Sequence, residues 1–342
     1  MYKSGVRYVF GIPGGPSIPY IEALRIAGIE FILTSNEASA GIMADVTARL
    51  TGIPGICHST YGPGATNIAT GTGSAYLDRS PVLVFTSELN SSMLFRTTQM
   101  NIDHQKLFAP ITKSTFRLTP ENAAEVLGKS LRICREEYPG PVHIGLPDDI
   151  AFCETGENEI WNSDLDAGEI PVPEETEAHE QLNTEELKSL LVNSRRPLIA
   201  AGLTAKRLNI SSLLLDFLKI YNIPVLITPM AKGLIPEDHP SYAGVLFHAL
   251  SDYPESLYEE TDLVIGIGYD PVEFNYESWI PDVPLIHFST RKTDMPENIS
   301  VLQFAGRPDE WFSLLGNLNA GYLAPVKRSE EHTSELQSRQ VI

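Results

Sequence analysis

Val9-Phe10-Gly11-Ile12-Pro13-Gly14-Gly15 is the first of three segments that decide the fold. The others are Ser35-Asn36-Glu37-Ala38-Ser39-Ala40-Gly41 and Tyr61-Gly62-Pro63-Gly64-Ala65-Thr66-Asn67. Each begins where an apolar, β-prone run hands over to a helix-forming one. In a parallel α/β sheet that place is the carboxyl edge of the strands, where ligands bind. Two of the segments are turns of glycine and proline. The third sets one acidic side chain, Glu37, among neighbours too small to cover it. The pattern predicts a site for a bulky ligand that needs a single carboxylate.

Outward from these segments the alternation continues. Tyr8–Ile12, Phe31–Ser35, Gly55–Thr60, Val82–Ser87, Lys113–Leu118 and Val142–Leu146 read as strands, with helical periodicity between them, as over Ala38–Leu50 and Glu121–Glu136. Strands separated by helices make βαβ units and a parallel sheet covered on both faces. From Glu154 to Glu186 there are about a dozen acidic residues and no Lys or Arg, with Pro171 and Pro173 among them, which reads as a solvated linker. The pattern then restarts, with Leu198–Ala201, Val225–Thr228, Leu263–Gly268, Leu285–Ser289 and Val301–Phe304 as strands and Ser211–Tyr221 as a helix. The expected architecture is α/β: two doubly wound parallel-sheet domains joined by an acidic linker. The first domain spans 1–153, the linker 154–185, a second, Rossmann-like domain 186–327 and a tail 328–342. In one codon choice Arg328–Ser338 spell a common short-read sequencing adapter, so the tail reads as non-native and the gene as continuing beyond Lys327; the alternative is a natural disordered tail.

A length of 342 residues suffices for two cores. The net charge of −19 falls largely on the linker, and an acidic chain without a basic stripe argues against nucleic acid as a partner. No apolar run approaches the roughly 18 residues of a membrane helix, and the opening residues do not read as a signal peptide, so neither a membrane span nor a leader is expected. Cys57, Cys134 and Cys153 form neither a CxxC pair nor a metal spacing, as expected of reduced thiols in a cytoplasmic protein.

Several chemistries fall away. His58, His104, His143, His239, His248 and His287 show no HxxxH or HExxH spacing, so they read as core or surface histidines rather than zinc ligands. Gly11–Gly15 lacks the Lys-Ser/Thr that completes a phosphate loop. Gly62-Pro63-Gly64 with Asn67 is a broken GxGxxG, in which proline removes an N–H that a pyrophosphate would use. No GxSxG elbow offers a serine nucleophile. Glu37 remains. At a helix start it could serve only the helix dipole; beside two glycine turns at one sheet edge it could instead face a flat ring.

The ordered series Val9–Gly15, Asn36-Glu37, Gly62-Pro63-Gly64-Ala65-Thr66-Asn67, Pro110-Ile111-Thr112-Lys113 and Pro139-Gly140-Pro141-Val142 resembles the pyrimidine-binding domain of thiamine-diphosphate-dependent enzymes of the acetolactate synthase type. Arg196-Pro197, Lys232-Gly233 and Asp262–Gly268 resemble that family's central domain. The resemblance implies thiamine diphosphate and Mg²⁺ as cofactors and a 2-oxo acid as substrate. It also implies a homodimer or homotetramer with the cofactor between subunits, and no nucleic-acid or membrane partner. It makes Glu37 the acid that hydrogen-bonds the aminopyrimidine ring and favours its imino tautomer, so that the cofactor's own amino group can deprotonate the thiazolium carbon. By the same resemblance Gly14, Gly15, Gly62, Pro63, Gly64 and Asn67 line the cofactor. Gln99 resembles a glutamine facing the partner subunit's active site. Lys113 matches a recurrent family lysine, with a structural role as the alternative. Acetolactate synthase, pyruvate to 2-acetolactate, is the best single function. Another 2-oxo-acid decarboxylase or carboligase of the family, or a binding or regulatory subunit that needs a partner chain, are the alternatives.

Four departures from the family pattern bear on these expectations. The usual His-Glu pair is Asn36-Glu37, and Pro16 stands where catabolic acetolactate synthases carry a lysine near pyruvate. Ala200-Ala201-Gly202-Leu203 replaces the triple glycine of FAD-binding members, and Gly268–Phe274 looks like the FAD-independent branch. FAD is therefore not expected, while an ADP-like ligand in the central domain stays open. Finally, the Gly-Asp-Gly motif of the family's third domain is missing. Mg²⁺ and the diphosphate are thus expected to be held outside these residues, no residue here is expected to ligate a metal, and the chain alone is not expected to turn over.

Overall fold

A computed structural model describes residues 1–153, 184–246, 257–273, 282–295 and 300–316. The chain divides into two compact units, Met1–Pro173 and Glu174–Ile342. Most of the acidic stretch, His248, Phe274 and the tail 328–342 lie outside the described residues.

In the first unit β1 (Tyr8–Ile12), β2 (Glu30–Leu33), β3 (Gly55–Ser59), β4 (Val82–Glu88), β5 (Ser114–Arg117) and β6 (Val142–Pro147) form one sheet, ordered β2-β1-β3-β4-β6-β5. Every pairing is parallel. β3, β4 and β6 are buried along their whole length, which is why they read as near-continuous apolar runs. The helices are α1 (Ile18–Ile26), α2 (Glu37–Thr51), α3 (Pro63–Leu77), α4 (His104–Phe108) and α5 (Ala123–Arg135). Alternation along β4 divides the core. Leu83 and Phe85 join Leu131 of α5 on one side, whereas Val82 and Val84 meet Ala40, Ala44, Ala65 and Ile68 of α2 and α3 on the other.

Those alanines leave room for α2 and α3 to pack closely. Where they cross, a methyl group added to Gly41 would lie 2.8 Å from the Gly71 Cα, and one on Gly71 would lie 2.6 Å from the Gly41 Cα. Only glycine at both positions permits this backbone-to-backbone contact. The chain steps from β1 to β2 in one direction and returns with β3 on the other side of β1. The switch in winding, and the crevice that goes with it, therefore lies at the carboxyl ends of β1 and β3.

The second unit repeats the plan. After α6 (Thr184–Asn193) come β7 (Pro197–Ala201), α7 (Leu203–Arg207), α8 (Ser211–Ile220), β8 (Val225–Ile227), β9 (Tyr242–Val245), β10 (Leu263–Ile267), β11 (Leu285–Ser289) and β12 (Val301–Ala305). The sheet runs β12-β11-β10-β7-β8-β9, all parallel, so its winding switches between β7 and β10. Both units are the doubly wound α/β sheets that the sequence predicts. β9 is an addition to the expected strands: it is short, Gly244 has φ 122°, and its pairing with β8 shifts register. No helix among the described residues is long and apolar enough to cross a membrane.

Candidate active site

Glu37 is the first residue of α2. Asn36 caps that helix, its Oδ1 accepting the Ala38 N–H at 2.8 Å, which gives the departure from His-Glu a structural role. The Glu37 carboxylate is half-buried, and its Oε2 accepts a hydrogen bond from Asn67 Nδ2 at 3.1 Å. Its Oε1 faces Gly64, where an added methyl group would lie 3.5 Å away. Asn67 and Gly64 both belong to the start of α3. Glu37 and Asn67 each stand one helical turn before the Gly41–Gly71 contact, so that contact sets their separation.

The two glycine turns border the same crevice. After β1, the Gly14 N–H donates to Ser17 Oγ at 3.0 Å, and Ser17 Oγ in turn meets His58 Nε2 at 2.7 Å and Ser87 Oγ at 3.2 Å. The space around Gly15 is open. After β3, Gly62 takes φ 65° and ψ −119°, a backbone region left to glycine, and a methyl group there would come 2.6 Å from the Met100 carbonyl oxygen. Its N–H donates to His104 Nε2 at 3.3 Å. Pro63 has no N–H, so neither residue offers one to a ligand, in keeping with the broken phosphate motif.

The histidines behind these turns, read from the sequence as core or surface residues, are buried, and what the sequence does not reveal is how they are linked. Thr86 Oγ1 lies 2.9 Å from His104 Nδ1 and 2.8 Å from His143 Nε2. His58, Thr86 and His143 come from β3, β4 and β6, neighbours in the sheet though far apart in the chain. Burial lowers His58 to about 4 and also pulls down His104 and His143, so all three are neutral at pH 7. No local spacing signals such a group; the strand order sets His143 against Thr86, and α4 brings His104 to the same hydroxyl.

Gln99 is exposed, on a loop that Asn101 holds by donating to the carbonyls of Met93, Leu94 and Arg96 at 3.3, 3.0 and 2.8 Å. Met100 packs that loop against Gly62, but Gln99 itself makes no hydrogen bond to Glu37 or the glycine turns. Lys113 Nζ donates to the Glu136 carbonyl at 2.6 Å, its structural alternative. Cys57 and Cys134 are free and buried, and Cys153 is free and exposed. Among the described residues no group of three or more His, Cys, Asp or Glu could hold a metal ion.

The second unit fills its own crevice. Glu273 Oε2 accepts the N–H groups of Leu203 and Asp270, each at 3.0 Å, and Oε1 is held by the Thr228 hydroxyl. Withdrawal from water raises this carboxyl to about 7, against the pull of those hydrogen bonds.

Family models for the N-terminal TPP binding domain and the central domain of thiamine pyrophosphate enzymes match residues 1–107 and 184–313. The chain belongs to this family. Among thiamine pyrophosphate enzymes, the "probable acetolactate synthase large subunit" of Methanocaldococcus jannaschii is 34% identical over 300 residues, 86% of this chain and 50% of the relative. The acetolactate synthase isozyme 2 large subunit of Escherichia coli is 28% identical, covering 85% and 52%. A "probable 2-ketoarginine decarboxylase" of Pseudomonas aeruginosa is 32% identical, covering 82% and 49%. The chain thus spans about half the length of these relatives. The first unit fits the ring end of the family's cofactor: one carboxylate with an amide partner, glycine beside its second oxygen, and open space at the opposite turn.

Proposed function

We infer that this protein supplies the pyrimidine-binding (1–153) and central (186–327) domains of a thiamine-diphosphate-dependent enzyme acting on a 2-oxo acid, with 2-acetolactate formation from pyruvate as the leading reaction. The observation that carries this reading is the Glu37 carboxylate, held by Asn67 at the switch-point crevice with Gly64 beside its second oxygen. The names of the Methanocaldococcus and Escherichia relatives support acetolactate synthesis. The Pseudomonas relative favours 2-oxo-acid decarboxylation as the second reading.

When bound, thiamine diphosphate supplies the electron sink for cleavage next to the 2-oxo acid's carbonyl. This chain's residues do the placing. Asn67 occupies Glu37 Oε2, which leaves Oε1 to share a proton with a ring nitrogen. Gly64 interposes no side chain, and the turns at Gly14-Gly15 and Gly62-Pro63 line the ring with backbone. Mg²⁺ and the diphosphate fall to a domain outside these residues, without which the chain does not turn over. Flavin has no part in this reading, and the protein works in the cytoplasm.

A second copy completes the site. α2 buries Ala40, Gly41, Ala44 and Ala48, yet its outward side carries Ile42, Met43, Val46 and Leu50, all exposed, Leu50 to 82%. A helix apolar on both sides calls for cover on both. A homodimer, or a homotetramer built from it, provides that cover and brings the Gln99 loop toward the partner subunit.

The test joins the chain to a diphosphate-binding domain, in the same polypeptide or a partner's, and follows pyruvate. Acetolactate formation that requires thiamine diphosphate and Mg²⁺ is the expected result. Carbon dioxide release without acetolactate supports the decarboxylase. Cofactor binding with no 2-oxo acid consumed supports a non-catalytic subunit, and activity indifferent to thiamine diphosphate overturns the whole reading.

A further inference from the structure

We propose that His104 is a positioning residue for the cofactor pocket: its unprotonated Nε2 takes the Gly62 N–H and fixes the Gly62-Pro63-Gly64 turn, backed through Thr86 by His143. The proposal rests on the reading above that this turn lines the thiamine ring.

The geometry assigns the protons. Gly62 can only donate, so His104 Nε2 must be bare and the ring hydrogen sits on Nδ1. That hydrogen goes to Thr86 Oγ1, 2.9 Å away, and the Thr86 hydroxyl passes its own to His143 Nε2 at 2.8 Å. The chain ends at His143 Nδ1, which is buried with no partner. The anchor is rigid. His104 is 2% exposed, Thr86 and His143 are fully buried, and His143 stacks on Phe108 with ring centroids 4.2 Å apart and an interplanar angle of 14°.

The turn has little else to hold that amide. Pro63 cannot donate, and Gly62 is free to rotate wherever its neighbours let it. The Met100 backbone closes one side of Gly62 and His104 takes its N–H. The same bond ties α4, and hence the end of the Gln99 loop, to the turn. Two residues after Gly62 stands Gly64, which faces Glu37 Oε1, so a rotation at Gly62 moves the wall opposite the carboxylate.

The experiment compares wild type with His104→Gln, which keeps an acceptor near the Nε2 position, with His104→Leu, which keeps none, and with Thr86→Val, which removes only the bridging hydroxyl. Amide exchange is measured first, on the full chain without cofactor. The Gly62 amide is expected to exchange about 10-fold faster in His104→Leu, within about 2-fold of wild type in His104→Gln, and about 3-fold faster in Thr86→Val, with the amides of β4 and β6 unchanged. In the assembled enzyme, the thiamine diphosphate concentration giving half-maximal rate is expected to rise about 10-fold in His104→Leu and to recover in His104→Gln, while kcat stays within about 3-fold. A structural role alone would lower the active fraction and leave that concentration where it was.

Unchanged Gly62 exchange in His104→Leu overturns the proposal, as does faster exchange with no change in cofactor requirement. So does a Gln variant that behaves like Leu. Should His104→Leu fail to fold, Thr86→Val decides by the same two readouts. A wild-type enzyme indifferent to thiamine diphosphate overturns the proposed function and the pocket role with it, while Gly62 exchange still upholds or overturns the His104 bond itself.

Discussion

The two sheets share a topology and treat the crevice it creates in opposite ways. In the first unit the amides that could serve a ligand are turned inward, Gly14 to Ser17 and Gly62 to His104, and a half-buried carboxylate is left at the mouth with one amide partner. In the second unit the amides of Leu203 and Asp270 point into the crevice, and the chain's own Glu273 occupies them. A switch point in a doubly wound sheet is therefore a place for a ligand, not yet a site. What decides is whether the chain's own groups leave the place free or fill it.

The largest expected break in that comparison is chemical. Glu37→Gln should lower thiamine-diphosphate-dependent kcat by about 10³-fold with the thermal midpoint within a degree or so of wild type, because a neutral amide cannot share the proton. Glu273→Gln should leave kcat near wild type. A loss of rate in the second variant with its stability intact would show that both carboxylates belong to the chemistry.

Next comes stability. Glu273→Ala removes the acceptor of two backbone N–H groups and a hydroxyl, and should cost about 2–3 kcal/mol by denaturant titration. The pH dependence of two buried groups, Glu273 and His58, has opposite signs. A carboxyl raised from 4.5 to about 7 binds more protons folded than unfolded between those values, so its contribution weakens as pH climbs through that window. A histidine lowered from 6.5 to about 4, as His58 is, binds fewer protons folded, so its contribution weakens as pH falls through 6.5 toward 4. Glu273→Gln should flatten only the first slope, measured by denaturant unfolding at about pH 5 and about pH 8. A variant with the wild-type slope would sink that assignment.

The smallest effect tests how the site is set. Gly71→Ala forces α2 and α3 apart and should cost about 1–3 kcal/mol. It should also raise the thiamine diphosphate requirement, since it shifts Asn67 against Glu37. A stable variant with an unchanged requirement would show that the helix contact does not govern the carboxylate.

Most of the fold was legible because its strands are parallel and buried, so they stand out as apolar runs between turn residues. β9 was not, since Tyr242-Ala243-Gly244-Val245 is brief and carries a glycine that breaks register. Within the site, Glu37 stood out by the smallness of its neighbours. The closeness of Asn67 did not, because it depends on two glycines meeting across a helix crossing. The histidines were invisible for the same kind of reason. His143 meets Thr86 because β4 lies beside β6, and His104 reaches the same hydroxyl from α4, adjacencies that no local spacing records.

The Gly41–Gly71 contact also limits how such a protein can change over generations. With backbone against backbone, neither helix can drift, so the distance between Glu37 and Asn67 is not open to gradual adjustment. Residues outside this contact, such as those of the exposed loop around Gln99, are not held by it. Glu37 and Asn67 are then a pair whose spacing the backbone itself dictates, whereas the surfaces around them carry no such constraint.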